Sequence, residues 1–179
     1  MVCLSLKSSS LQFLPILGLV AGFRERPFLI ALYAGRGNLR ILRSIWEEYF
    51  VDEATRLKSE GMMYRHQRLY ISVSAFICDA PARAYIRCVK SLSGYFACER
   101  CIQEKLYVWR MTFPDANSEL RTNESFLEQQ QEEHHTGVSP LVRLGMGISQ
   151  FPLDLMHLLY PGVMKRLRHQ WHSQGQKWC

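Results

Sequence analysis

Leu69-Tyr-Ile-Ser-Val-Ser-Ala-Phe-Ile-Cys78, running straight into Asp79-Ala-Pro-Ala-Arg-Ala-Tyr-Ile86, is the stretch on which the fold turns. Its first half is β-branched and aromatic. Ser72 and Ser74 alternate there with Ile71, Val73 and Ala75, the period of a strand with one buried face. In the second half Pro81 sits at the start of a helical run to about Lys90, where a missing N–H costs nothing and the ring presets a helical φ. Asp79 stands at the junction. A carboxylate in that place either caps the helix through its oxygens or serves as a catalytic or metal-binding group, and position alone favours the cap.

Working outward, the chain before this stretch supplies a hairpin and a helix. Leu14 to Phe23 and Pro27 to Ala34 are apolar runs separated by Arg24-Glu-Arg26, which reads as two adjacent buried strands. The first run also imitates a signal peptide, with Lys7 ahead of a short apolar core. The charged break and the second run argue against that, and neither run approaches the roughly 20 apolar residues of a membrane span. Asn38 is a good N-cap, and Ile41, Leu42, Ile45, Trp46, Tyr49 and Phe50 recur at helical spacing in a segment from Leu39 to Glu60 that Gly61 closes.

Beyond the decisive stretch, Cys98-Glu-Arg-Cys101 leads into a polar, acidic segment from Pro114 to Thr136. A last apolar element begins at Phe151-Pro-Leu-Asp-Leu-Met-His157, with Pro161 expected to kink it. These composition shifts divide the chain into 1–92, a partial α/β core; 93–140, a Cys-x-x-Cys insertion with a polar connection; and 141–179, a helical segment with a basic tail.

With 22 Lys+Arg against 16 Asp+Glu the formal charge is +6, compatible with a nucleic-acid partner and equally with a merely basic surface. Apolar residues at 47% exclude wholesale disorder. The six Cys, at 3, 78, 88, 98, 101 and 179, do not space like a secreted disulfide framework, so a reduced compartment with a metal pair is expected. Cys98 and Cys101 can grip one Zn²⁺, with His134, His135 and His157 as candidates for the remaining ligands, or they are simply a reduced pair. A thioredoxin-like role is disfavoured, because the expected helix after the pair is weakly supported. Asp154 and His157, three apart, share a helix face and either ligate a metal or hydrogen-bond one another. Lys165, Arg166 and Arg168 suit phosphate contacts or form a solvated charged face. Gly35-Arg-Gly37 lacks the rest of a phosphate-cradling loop, and neither a Gly-x-Ser-x-Gly elbow nor a His-Glu-x-x-His helix is present.

Several runs, in order, resemble the CACTA (En/Spm-type) DDE transposases: Ser8-Ser-Ser-Leu-Gln-Phe-Leu-Pro-Ile-Leu-Gly18; Asp79-Ala-Pro-Ala-Arg-Ala-Tyr-Ile86; Ser93-Gly-Tyr-x-x-Cys-Glu-Arg-Cys101; Phe113-Pro; Leu120-Arg-Thr122; His134-His-Thr-Gly-Val-Ser-Pro-Leu141; Gln150-Phe-Pro-Leu-Asp-x-Met-His-Leu158; and Gly162-Val-Met-Lys-Arg-Leu167. The resemblance spans nearly the whole chain. It implies an α/β, ribonuclease-H-like core, here incomplete because the first strand is missing or degenerate, with a small Cys/His zinc-knuckle-like insertion.

In activity, the resemblance implies cut-and-paste DNA transposition. Three acids would hold two Mg²⁺ or Mn²⁺ ions about 4 Å apart for phosphodiester cleavage and strand transfer. Asp79 would be the second acid, which reverses the preference for a mere cap. Cys98 and Cys101, with the Asp154/His157 pair, would belong to a zinc-binding or scaffolding feature beside the active site. The implied partner is DNA in the nucleus, with no membrane, and with a second copy or a full-length transposase subunit as a protein partner.

The departures from the family point toward lost catalysis. Met1-Val-Cys-Leu-Ser-Leu-Lys7 stands where an Asp-Gly-Leu-Pro-Leu-Phe-Lys-like segment would supply the first acid, and the third, a helical Glu, would fall past Cys179. Leu92 replaces a His before Ser-Gly-Tyr, and Leu14 a Trp. The expectation is a catalytically inactive transposase fragment; the alternative is a non-catalytic DNA-binding or zinc-stabilised scaffold.

Overall fold

The two apolar runs near the N-terminus pair as an antiparallel hairpin, β1 (Gln12–Gly18) with β2 (Phe28–Gly35), in a register from Gln12↔Gly35 to Gly18↔Phe28 with an irregularity at Ile16/Leu17. The computed structural model describes residues 12–22, 26–35, 46–91, 93–109, 111–155 and 158–175. The hairpin is as expected, but its burial is not. Ile16 and its cross-strand partner Ala31 face the core, while Phe28, Leu29, Ile30 and Leu32 stay exposed. The pattern of an all-apolar run does not say how many layers will cover it.

Of the helix expected from Leu39 to Glu60, residues 39–45 lie outside the described residues. The remainder is a π-helical turn, Trp46–Val51, continuing into α1 (Asp52–Ser59). Val51 is fully buried at the junction of the two helical segments. Gly61 follows the C-cap at φ +70, and a Cβ there would come 2.6 Å from the Leu69 carbonyl oxygen. That close approach belongs to a tight hairpin of β3 (Met62–Tyr64) and β4 (Gln67–Leu69), with Arg65 and His66 at positive φ in its turn.

The expected strand from Leu69 to Cys78 is not in a ladder: only Leu69 is paired, in β4. Residues 70–79 carry no regular structure, and the expected alternation is not kept: Ile71 and Ala75 are exposed along with the serines, and the burial that follows has the opposite phase. Ser72 and Ser74 are exposed, Val73 is half-buried, and Phe76 and Cys78 are buried on either side of exposed Ile77. Phe76 N–H donates to the Gln150 carbonyl at 2.8 Å, so a loop rather than a neighbouring strand takes up this backbone. Among the described residues the strands form three separate two-stranded antiparallel sheets, the third being β5 (Leu106–Tyr107) with β6 (Met111–Thr112).

The helix expected after Asp79 is α2 (Ala80–Ile86), shorter than its pattern suggested. It stops because Cys88 adopts φ +53, with Cys88 N–H donating to Tyr85 O at 3.1 Å and Val89 N–H to Ala84 O at 3.0 Å. This is a Schellman ending with Cys88 where glycine is usual, and Val89 packs with Ala84 in one buried cluster, the contact that accompanies such endings. A short α3 (Asn123–Leu127) opens on a reciprocal Thr122/Ser125 capping box.

The main core joins distant segments: Ile16, Val51, Phe76, Cys78, Ile86, Leu141, Leu144, Met146 and Phe151. Phe76 stacks on Phe151 at 5.6 Å and meets Phe50 edge-on at 5.5 Å. A π-helical stretch through Pro161 (Leu158–Met164) leads into α4 (Lys165–Gly175), so the irregularity expected at that proline is present.

Candidate functional site

Asp79 is the N-cap of α2. Its Oδ1 accepts the Ala82 N–H at 2.8 Å with the backbone extended, and Pro81 occupies the first turn. One turn on, Arg83 turns back to donate from Nη1 to the Cys78 carbonyl at 2.9 Å. The junction that the sequence marked for chemistry is thus braced from both sides by side chain-to-backbone bonds.

Behind it lies a buried charge cluster. Arg83 and Arg87, four residues apart on the inner side of α2, converge on Glu99, the residue that follows Cys98. Arg83 binds it in two-pronged fashion, Nε to Oε2 at 2.5 Å and Nη2 to Oε1 at 3.1 Å, and Arg87 Nη1 stands 3.6 Å from Oε2. All three are buried, and the Arg87 guanidinium lies 4.7 Å from the Phe126 ring centre and 5.5 Å from that of Phe151. Burial lowers the Arg87 pKa to about 10, with the repulsion of Arg100, Arg83 and Arg121 adding to that and Glu99 opposing it. Arg87 Nε and Nη2 have no hydrogen-bond partner. Sequence reasoning missed this cluster. Its signal was two arginines one turn apart on the apolar side of a helix, a spacing that calls for a buried acid.

Glu99 is positioned by a turn that also carries the Cys-x-x-Cys pair. Arg121 N–H donates to Arg100 O at 2.8 Å, Ile102 N–H to Glu119 O at 3.0 Å, and Arg121 Nε to Cys98 O at 3.1 Å. Arg100 Nη2 reaches the Phe151 carbonyl at 2.8 Å. Cys98 and Cys101 are both free thiols that share a hydrogen bond, Sγ to Sγ 2.9 Å. Cys98 Sγ also accepts the Cys101 N–H at 3.4 Å, and Cys101 Sγ accepts from Gln103 Nε2 at 3.0 Å. Burial and the shared bond push the Cys98 thiol up. For Cys101 burial acts upward too, but the bonds from Cys98 and Gln103 outweigh it and the thiol falls below its ordinary value. No helix follows the pair: residues 102–105 are irregular.

The rings of His134 and His135 meet edge-on at 5.2 Å but differ in their partners. His134 is fully buried, and its Nδ1 donates to the Phe96 carbonyl at 2.7 Å, which leaves a lone pair on Nε2, buried and unpartnered. Burial, with repulsion from Arg121, Arg87 and His135, lowers its pKa to about 4, so the ring is neutral at pH 7. His135, half-buried, lies against Phe126 at 5.2 Å. Among the described residues no three His, Cys, Asp or Glu side chains gather as a metal site. A four-ligand zinc site on Cys98 and Cys101 therefore lacks its other half there, and Asp79 offers too few ligands for an octahedral Mg²⁺ or Mn²⁺. His157 and Leu92 lie outside the described residues, and Asp154 is half-buried. Lys165, Arg166 and Arg168 are all exposed on α4; Lys165 and Arg168, three apart, share a face with His169 and His172.

No protein-family model, curated protein or solved structure matches the chain. No helix among the described residues is long and apolar enough to cross a membrane.

Proposed function

We propose that this chain is a non-catalytic piece of a cut-and-paste transposase core that holds DNA in the nucleus without cutting it. The order of motifs along the sequence supports the family. The observation that carries the loss of catalysis is that, among the described residues, no three His, Cys, Asp or Glu side chains gather around Asp79, whose Oδ1 caps α2 at Ala82 N–H. The other acid beside α2, Glu99, is tied to Arg83 and Arg87. Among the described residues no second open carboxylate therefore stands beside Asp79 to share a pair of divalent ions in the way phosphodiester cleavage demands. The exposed Lys165, Arg166 and Arg168 of α4 supply the phosphate contacts, which carry no sequence information of their own.

The test is a plasmid-nicking assay with Mg²⁺ or Mn²⁺, run on the purified chain and on Asp79→Asn. Asn caps helices about as well as Asp, so this variant removes the metal-binding charge while keeping the fold. No metal-dependent nicking is expected from either protein. Robust nicking that disappears in Asp79→Asn would overturn the non-catalytic assignment. In parallel, fluorescence anisotropy with a labelled duplex should show binding that weakens steeply with salt. The salt slope should shrink by about 0.9 for each phosphate that Lys165→Gln or Arg168→Gln leaves without its cation. An absence of binding at low ionic strength removes the DNA-holding role.

A further inference from the structure

We propose that Cys98 and Cys101 are a reversible dithiol–disulfide pair, a site of oxidation that locks the turn carrying Glu99. This role does not depend on the transposase assignment. The two sulfurs are 2.9 Å apart and already in contact, so a bonded separation of about 2.05 Å lies within a small adjustment of the turn. A shared tetrahedral zinc would instead spread them to about 3.8 Å, from two bonds of about 2.3 Å, and would need two more ligands. The described residues bring no third metal-ligating group to the sulfurs.

The two sulfurs are held in place by donated N–H groups. Each sulfur accepts an N–H, from the Cys101 backbone in one case and from the Gln103 amide in the other, and Arg121 spans the turn from its bond to the Cys98 carbonyl. Cys98 is half-buried rather than sealed, so a small oxidant reaches the pair. The two other thiols described, Cys78 and Cys88, are buried.

The oxidant class is a peroxide. One thiolate attacks a peroxide oxygen, the O–O bond breaks, and a sulfenic acid forms with release of hydroxide. The second thiolate attacks that sulfur, the S–O bond breaks, and hydroxide leaves as water after taking a proton. With hydrogen peroxide the sum is two thiols plus one peroxide giving one disulfide and two waters, a two-electron oxidation that an external dithiol reverses. The consequence follows from what the turn holds: Glu99 between two buried arginines, and Arg100 on the Phe151 carbonyl.

Trypsin provides a direct readout, because Arg100 lies between the two cysteines. The full chain is treated with one equivalent of hydrogen peroxide, alkylated, digested and analysed by mass spectrometry. The expected product is residues 91–100 joined to residues 101–105, lighter by two hydrogens than the separate peptides and split by dithiothreitol. The oxidised chain should also melt about 3–8 °C higher than the reduced one, and Cys98→Ser should abolish both effects. The mapping of the unmodified chain stands even where that variant folds poorly. Three results overturn the proposal: separate alkylation of both cysteines after oxidation, linkage of either to a different cysteine, or one tightly held zinc in the purified chain that shields both thiols from peroxide.

Discussion

Glu99→Ala is the perturbation that most directly probes how this fold is held together. The carboxylate is buried, takes two bonds from Arg83 at 2.5 and 3.1 Å, and faces Arg87 at 3.6 Å. Removing it leaves two guanidiniums in the interior. Arg83 retains its bond to the Cys78 carbonyl, whereas Arg87 retains only the Phe126 and Phe151 rings, with Nε and Nη2 already unpartnered. Breaking a buried pair by deleting one partner costs about 3–5 kcal/mol, because the cost is dominated by the stranded charge. For a chain of this size that corresponds to a fall in Tm of about 6–20 °C, a large part of a typical stability of about 5–15 kcal/mol.

Thermal and urea denaturation of Glu99→Ala would measure the loss, with Glu53→Ala as the control. Glu53 bonds Arg56 at 2.6 Å, but both side chains are about half exposed, so solvent screens the pair and Tm should hardly move. The joint replacement Arg83→Met, Glu99→Leu, Arg87→Met should recover most of the loss, since no charge is then left buried. A Glu99→Ala loss no larger than that of the control, or a triple variant less stable than Glu99→Ala, would refute the idea that charge neutralisation is what Glu99 supplies.

Three further outcomes are expected. Asp79→Ala should destabilise by about 1 kcal/mol through loss of the cap on Ala82, and Asp79→Asn by far less, in the same melts. His134 has its pKa lowered to about 4 in the folded chain against about 6.5 when unfolded, so between those values the unfolded chain binds the extra proton and stability rises with pH. Acidification through that window should therefore remove up to about 3 kcal/mol, with the lowered His135 acting in the same direction, and His134→Gln should flatten the profile between pH 5 and 6.5 as read by urea midpoints. Gly61→Ala should cost more than about 1 kcal/mol in urea titrations, since φ +70 disfavours a side chain and the new Cβ would meet the Leu69 carbonyl at 2.6 Å.

Local features were legible in the sequence because local forces set them. The hairpin of β1 and β2, the helix ending at Gly61, the Pro81 start of α2 and the capping position of Asp79 all rest on backbone preferences within a few residues. The alternation read from Ile71, Val73 and Ala75 was not kept: Ile71, Ala75 and Ile77 are exposed, while Phe76 and Cys78, in phase with Ser72 and Ser74, face inward. What the pattern could not carry was pairing: a strand needs a neighbour, and Phe76 found the Gln150 carbonyl instead. Tertiary structure alone decided three things. It drew Glu99 under Arg83 and Arg87 across 16 and 12 positions of chain, since a buried cation accepts whichever carboxylate the fold can deliver. It left Phe28, Leu29, Ile30 and Leu32 exposed, although their run reads as core. And it held His134 on the Phe96 carbonyl while leaving Cys98 and Cys101 facing each other, because packing between segments distant in sequence determines which candidate ligands can converge.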